Sequence, residues 1–133
     1  MLTIEHIGIA VKNLAISIPL FEKLLNSPCY KTELVEGEKV NTAFFKSGET
    51  KIELLESIDP TGVIAKFIER KGEGLHHIAF NVADIHAEME RLKRAGFMLL
   101  SDTPKPGADN KLICFLHPKS TNGLLVELCM EMK

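Results

Sequence analysis

One apolar pattern that opens with histidine occurs twice in the chain. It reads HIGIAV at residues 6–11 and HIAFNV at residues 77–82. Alternating apolar residues, several of them β-branched, predict a strand at each place. Successive side chains of a strand point to opposite faces, so each histidine shares its face with small residues, Gly8 and Ala10 in the first copy and Ala79 in the second. The repeat predicts two similar halves, each opened by a strand that carries a histidine.

The residues after the first copy predict a helix and then a hairpin. Asn13 is a candidate N-cap of a helix over residues 14–25, although Pro19 predicts a distortion of that helix or a later start. A turn around Gly48 then joins two strands at residues 40–45 and 50–56.

The residues after the second copy show the fuller pattern. Asp84 is a candidate N-cap of a helix with an apolar stripe, and Gly96 follows the end of that helix. Three further strands are predicted at residues 97–100, 111–116 and 123–130. The second half therefore reads β-α-β-β-β, and the first half can be read the same way.

A chain of 133 residues and 14.8 kDa has the size of a single domain. We predict that module one covers about residues 1–59 and module two about residues 74–133, with a connector and its short amphipathic helix at about 60–73. The predicted fold class is α+β, with two βαβββ modules pairing into one curved mixed sheet.

Composition and charge lower the expectation of several function classes. The net charge of −2 and the pI near 6.2 give no general attraction to nucleic acid or to an anionic membrane. The sequence shows neither a long apolar run nor a signal peptide, so we expect a cytoplasmic protein without membrane contact. Its three cysteines form no Cys-x-x-Cys pair, so neither a disulfide scaffold nor a zinc knuckle is expected.

Each half also closes on a strand with a glutamate inside an apolar run. The runs read KIELLE at residues 51–56 and LLVELC at residues 124–129, which contain Glu53 and Glu127. If the apolar neighbours face the helices, both glutamates face the other way, where an unpaired buried charge is costly. Together with the two strand histidines they would form a mixed nitrogen and oxygen site that suits Mn, Co, Ni or Fe.

Simpler interpretations stand beside this one. A strand with one polar face also fits an antiparallel sheet that is open to water on that face, which would leave Glu53 and Glu127 solvated. His76 has the wrong phase for the same site and is expected to be structural or a neighbour of it. His86 is expected on a solvated helix face, and His117 in a hydrogen-bonded loop.

The paired strands and their closing IELL and VEL runs resemble the vicinal oxygen chelate superfamily, which includes glyoxalase I and extradiol dioxygenases. The resemblance covers essentially the whole chain. Within that superfamily, GEGLHHIAF at residues 72–80 and FLHPKSTNGLLVEL at residues 115–128 are most similar to the methylmalonyl-CoA epimerases.

The resemblance implies a metal held by His6, His77 and Glu127, with Glu53 at the position where relatives carry Glu or Gln. The ion implied is divalent, with Co, Mn, Ni and Zn as candidates. The activity implied is interconversion of (2R)- and (2S)-methylmalonyl-CoA, an acyl-CoA thioester, by a homodimer.

Inversion of the carbon between the two carbonyl groups requires one base on each side of it. The resemblance implies Glu127 as one base and a residue before the first hairpin as the other. That segment reads VEGEKV at residues 35–40, and the resemblance does not choose between Glu36 and Glu38.

Two other functions fit the same sequence features. A glyoxalase I-like lactoylglutathione lyase would use the same four metal ligands. A non-catalytic module that sequesters a drug or antibiotic would share the fold, although it has no need of four metal ligands.

Overall fold

The computed structural model of the chain describes residues 2–133. Three α-helices and eight strands occur among those residues. The strands are β1 (Thr3–Ala10), β2 (Lys31–Val35), β3 (Val40–Ser47), β4 (Thr50–Ser57), β5 (Gly74–Asn81), β6 (Lys105–Pro106), β7 (Lys111–Leu116) and β8 (Val126–Glu131). The helices are α1 (Leu14–Leu25), α2 (Val63–Lys71) and α3 (Ile85–Arg94).

The chain packs as two compact units. The N-terminal unit covers residues 6–76, and the C-terminal unit covers residues 77–133 together with the residues up to Glu5. The divisions between them fall inside β1 and β5, immediately before His6 and immediately before His77.

The strands of the N-terminal unit follow the order β2-β3-β4-β1. The β2–β3 and β3–β4 pairs are antiparallel, whereas β1 and β4 are parallel, as a helical crossover between them requires. Helix α1 covers one face of these strands, where Phe45 and Leu54 are fully buried. Helix α2 packs on the opposite face through Ile64, which joins Val40 and Leu55 in a second apolar cluster. The face that carries His6 is therefore covered at one end by α2.

Helix α1 begins as predicted and runs through its proline. The side chain of Asn13 accepts a hydrogen bond from the Ala15 amide at the N-cap. Pro19 lies inside the helix, so the predicted later start is wrong. Pro19 is exposed, and the carbonyl that loses its helical partner there can be solvated.

The strands of the C-terminal unit follow the order β5-β8-β7-β6. The β5–β8 pair is parallel, and the β7–β8 and β6–β7 pairs are antiparallel. Helix α3 is capped by Asp84, as predicted, and buries Ile85, Met89 and Leu92 against the apolar face of β7 and β8. The opposite face carries His77.

The predicted strand at residues 97–100 is wrong. That segment makes a single bridge, between Leu99 and Leu116, and the strand at the edge of the unit is β6 at residues 105–106 instead. The turn between them is held by the Ser101 hydroxyl, which donates to the Thr103 carbonyl. The last strand also begins later than predicted, at Val126.

The predicted α+β fold, with a βαβββ module in each half and mixed strand pairing, is confirmed. The three cysteines are free: Cys114 and Cys129 are buried and Cys29 is half-buried. Burial raises the pKa of the Cys114 thiol above its usual value, which keeps this thiol neutral.

We expect Leu54→Ala to lower the free energy of unfolding by about 2–5 kcal/mol, because Leu54 is fully buried among apolar neighbours and its loss leaves a cavity. Urea denaturation of both variants gives the measurement, with Leu24→Ala as control. Leu24 is 70% exposed, so its replacement should change the free energy by less than about 0.5 kcal/mol. Equal shifts for the two variants would contradict this description of the core.

Candidate metal centre

A histidine and a glutamate meet in the N-terminal unit. His6 lies in β1 and Glu53 in β4, and Glu53 is the register partner of Gly8. Because Gly8 has no side chain, the neighbouring strand leaves room beside the Glu53 carboxylate. Nδ1 of His6 lies 3.2 Å from Oε2 of Glu53. Both residues are buried.

The C-terminal unit repeats this arrangement with its own residues. His77 lies in β5 and Glu127 in β8, and Glu127 is the register partner of Ala79, another small residue. Nε2 of His77 lies 3.1 Å from Oε1 of Glu127. The Phe115 ring packs edge-on against the His77 ring, with centroids 5.9 Å apart, and this contact restricts the orientation of the imidazole.

Both glutamates are therefore buried beside a histidine, and the solvated-face alternative is wrong for both. Glu53 is 3% exposed and Glu127 is 5% exposed. A buried carboxylate is stable only with a partner. The sequence prediction that each glutamate lies on the same face as its strand histidine is confirmed within each unit.

The donor atoms of each pair fit a divalent cation. Imidazole nitrogen and carboxylate oxygen bind such ions at about 2.0–2.2 Å, so neighbouring ligands in octahedral coordination lie about 3 Å apart. The observed separations of 3.2 Å and 3.1 Å match that spacing. Each pair could therefore supply two ligands to a divalent ion.

The two candidates for the second base differ in burial. Both lie in the 3₁₀ turn Glu36–Glu38 between β2 and β3. Glu36 is exposed, whereas Glu38 is half-buried and its Oε1 atom is buried. The structure thus distinguishes two residues that the sequence alone does not.

The other histidines have structural or solvent contacts. His76 stacks edge-on against Phe67, with ring centroids 4.9 Å apart. His86 is exposed on α3, as predicted. Nδ1 of His117 accepts a hydrogen bond from the Lys119 amide in its loop, which confirms the loop interpretation.

Sequence reasoning missed four buried polar residues, which are Glu5, Ser17, Thr42 and Lys111. The Thr42 hydroxyl has no hydrogen-bond partner among residues 2–133. Lys111 has the same strand phase as Ile113 and Phe115, which is the signal that could have identified it as an inward-facing lysine.

The Glyoxalase/Bleomycin resistance protein/Dioxygenase superfamily model matches residues 5–115. The match covers most of the chain, including both strand histidines, and the fold and the repeated His–Glu pairs agree with it. The chain belongs to this superfamily, as the resemblance implied.

Two relatives match this chain along nearly its whole length. An ethylmalonyl-CoA/methylmalonyl-CoA epimerase of Cereibacter sphaeroides is 39% identical over 94% of this chain and 95% of its own length. An uncharacterised protein of Bacillus subtilis, YqjC, is 40% identical over 95% of this chain and 90% of its own length.

The solved structure of an epimerase is also similar to this chain along nearly its whole length. A variant of the Streptomyces coelicolor methylmalonyl-CoA epimerase, in complex with 2-nitronate-propionyl-CoA, superposes with a TM-score of 0.92 at 32% identity and covers 97% of this chain and 94% of that chain. The chain is an isomerase of the epimerase class. No helix in residues 2–133 is long and apolar enough to cross a membrane.

Proposed function

We propose that this protein is a metal-dependent epimerase that interconverts (2R)- and (2S)-methylmalonyl-CoA. The observation that carries the proposal is the buried His–Glu pair, which occurs once in each unit on equivalent strands. The epimerases among its relatives support the reaction, and the solved complex with an acyl-CoA analogue supports a coenzyme A thioester as the substrate.

In this proposal His6, Glu53, His77 and Glu127 bind one ion together. Two observations support the proposal: the pairs are alike, and the donor spacing within each pair fits two neighbouring ligands of a divalent ion. The candidate ions are Co, Mn, Ni and Zn, and metal analysis of the purified protein would identify the one bound. Two imidazoles and two carboxylates would hold a divalent ion and leave room on it for substrate oxygens.

A bound divalent ion would supply Lewis-acid stabilisation of the negative charge that develops on the thioester oxygen. The protein's own residues move the proton. In the proposal the Glu127 carboxylate takes or returns the proton at C2 on one side, and Phe115 fixes the neighbouring imidazole. Burial of the four side chains limits access of water to the reacting carbon.

We propose Glu38 as the base on the other side of C2. Its Oε1 atom is buried, whereas Glu36 is exposed to solvent, and a general base acts best where water does not compete for the proton. Both residues belong to the same short turn, so they make a matched pair for a test.

We expect Glu38→Gln to lower the epimerisation rate by about 10²-fold or more, because the amide cannot accept the proton. Glu36→Gln should keep a rate within about threefold of wild type, since Glu36 is exposed. Initial rates at saturating substrate measure both variants. Loss of activity in Glu36→Gln with normal activity in Glu38→Gln would reverse the assignment.

Conversion of pure (2S)-methylmalonyl-CoA to an equal mixture of both epimers tests the proposed reaction. Because coenzyme A is itself chiral, the two epimers are diastereomers, and chromatographic separation of the intact thioesters follows the conversion. Formation of S-lactoylglutathione from the glutathione hemithioacetal, without conversion of the epimers, would favour the glyoxalase alternative instead. The homodimer and the cytoplasmic location stay predictions.

A further inference from the structure

Lys111 is a charged residue that is almost fully buried. It is 8% exposed, the first residue of β7, and its side chain makes no ion pair or hydrogen bond with residues 2–133. Lysine residues are rarely this buried without an anionic partner. Its register partner in β8, Glu131, is exposed and forms no salt bridge with it.

A groove of about 980 Å³ opens beside this lysine. It lies wholly within the C-terminal unit, and its walls include Thr3, Asn81, Lys111, Leu112 and Met130. Its apolar and polar walls suit an extended ligand with a charged end.

The groove also contains the start of α3. Ala83 and Asp84, the two residues before this ten-residue helix, line it, and the positive end of a helix dipole favours an anion. Two carboxylates line the groove as well. The Ala87 amide donates a hydrogen bond to Asp84 Oδ1, and Glu131 is exposed. Lys111 is the most buried of the charged residues that line the groove.

The position of Lys111 relates the groove to the candidate metal centre. Lys111 and Phe115 lie on the same face of β7, and Phe115 is the register partner of Glu127. Four residues along a strand span about 13 Å. An anion at Lys111 is therefore well removed from the carbon beside Glu127. The malonyl carboxylate is bonded directly to that carbon, so a different anionic group of the substrate must be the one at Lys111.

We infer that Lys111 binds a phosphate of the coenzyme A part of the substrate, in the groove beside the start of α3. The inference rests on the proposed function, because the pantetheine arm is what separates the phosphates from the thioester. Lys111 contributes substrate affinity in this assignment and takes no part in the proton transfer.

Calorimetric titration with coenzyme A, together with kinetics on two substrates, tests the inference. Lys111→Met removes the ammonium group but keeps an unbranched side chain. We expect it to weaken coenzyme A binding and to raise KM for methylmalonyl-CoA by about tenfold or more, with kcat within about twofold. Kinetics with methylmalonyl-pantetheine, which lacks the phosphates, should not change.

Two further variants control the experiment. Lys111→Arg keeps the charge and should stay within about threefold of wild type, and it serves also if Lys111→Met fails to fold. Lys93→Met, which removes an exposed lysine of α3 that does not line the groove, should have less than a twofold effect. Unchanged coenzyme A affinity in Lys111→Met would overturn the inference, and so would an equal loss with the phosphate-free substrate.

The design separates failure of the inference from failure of the proposed function. A wild-type protein that epimerises neither substrate would overturn the function. Because the coenzyme A titration needs no turnover, it would still report whether Lys111 binds a phosphate.

Discussion

We expect Glu127→Gln to lower the rate of methylmalonyl-CoA epimerisation by about 10³-fold or more. Two losses combine in this variant, since Glu127 is proposed both to bind the metal and to exchange the C2 proton. A neutral amide is a poorer metal ligand and cannot accept the proton. Gln has nearly the shape of Glu, so the fold should persist. Initial rates at saturating substrate, with metal content measured on the same samples, give the result.

Glu131→Gln is the matched control for this prediction. Glu131 lies in the same strand, four residues further along, but it is exposed. Its replacement should leave the rate within about twofold of wild type. A Glu127→Gln protein that kept more than a tenth of the wild-type rate would show that Glu127 has neither proposed role.

The proposed function predicts that both strand histidines are needed for metal binding. We expect His6→Ala and His77→Ala each to lower the bound metal from one ion per chain to a small fraction, and to lower the epimerisation rate by about 10³-fold. The two residues belong to different units, so equal losses would follow from one ion bound by both. Elemental analysis after dialysis against the candidate metal measures the stoichiometry.

His86→Ala is the control for the histidine variants, because His86 is an exposed histidine on α3. It should keep one ion per chain and the wild-type rate. Two ions per chain in the wild type, with each histidine variant losing one of them, would instead indicate a separate site in each unit.

The parts of the fold that the sequence predicted are those with strong local signals. The helix caps at Asn13 and Asp84 are such signals, because a side-chain oxygen there satisfies a free amide of the first turn. The alternation in β1 and β5 is another, since one face of each strand packs against a helix. These patterns depend on neighbouring residues, so they can be recognised without knowledge of the distant contacts.

The elements that the sequence did not predict correctly depend on pairing with residues that are distant in the chain. Residues 97–100 are apolar like a strand, but they bridge the edge of β7 only at Leu99. Strand β2 was not located because its sequence, KTELV, alternates without a clear apolar face, and pairing with β3 alone defines it. Lys111 was missed because charge at a strand start usually indicates exposure.

The sequence likewise predicted one part of the candidate site and left another part open. Strand phase placed each histidine on the face of its unit's glutamate, and the distances within both pairs agree with that. The second base could not be chosen, because Glu36 and Glu38 flank a glycine in a short turn where no periodicity operates. Burial separates them, and burial depends on the folded chain.

Deuterium exchange at C2 tests the central claim most directly, because it reports proton removal beside the thioester whichever epimer forms. Metal-loaded protein in heavy water should introduce deuterium at C2 of methylmalonyl-CoA, chelation should abolish the exchange, and added divalent metal should restore it. No exchange by a folded protein with one bound ion per chain would contradict the account.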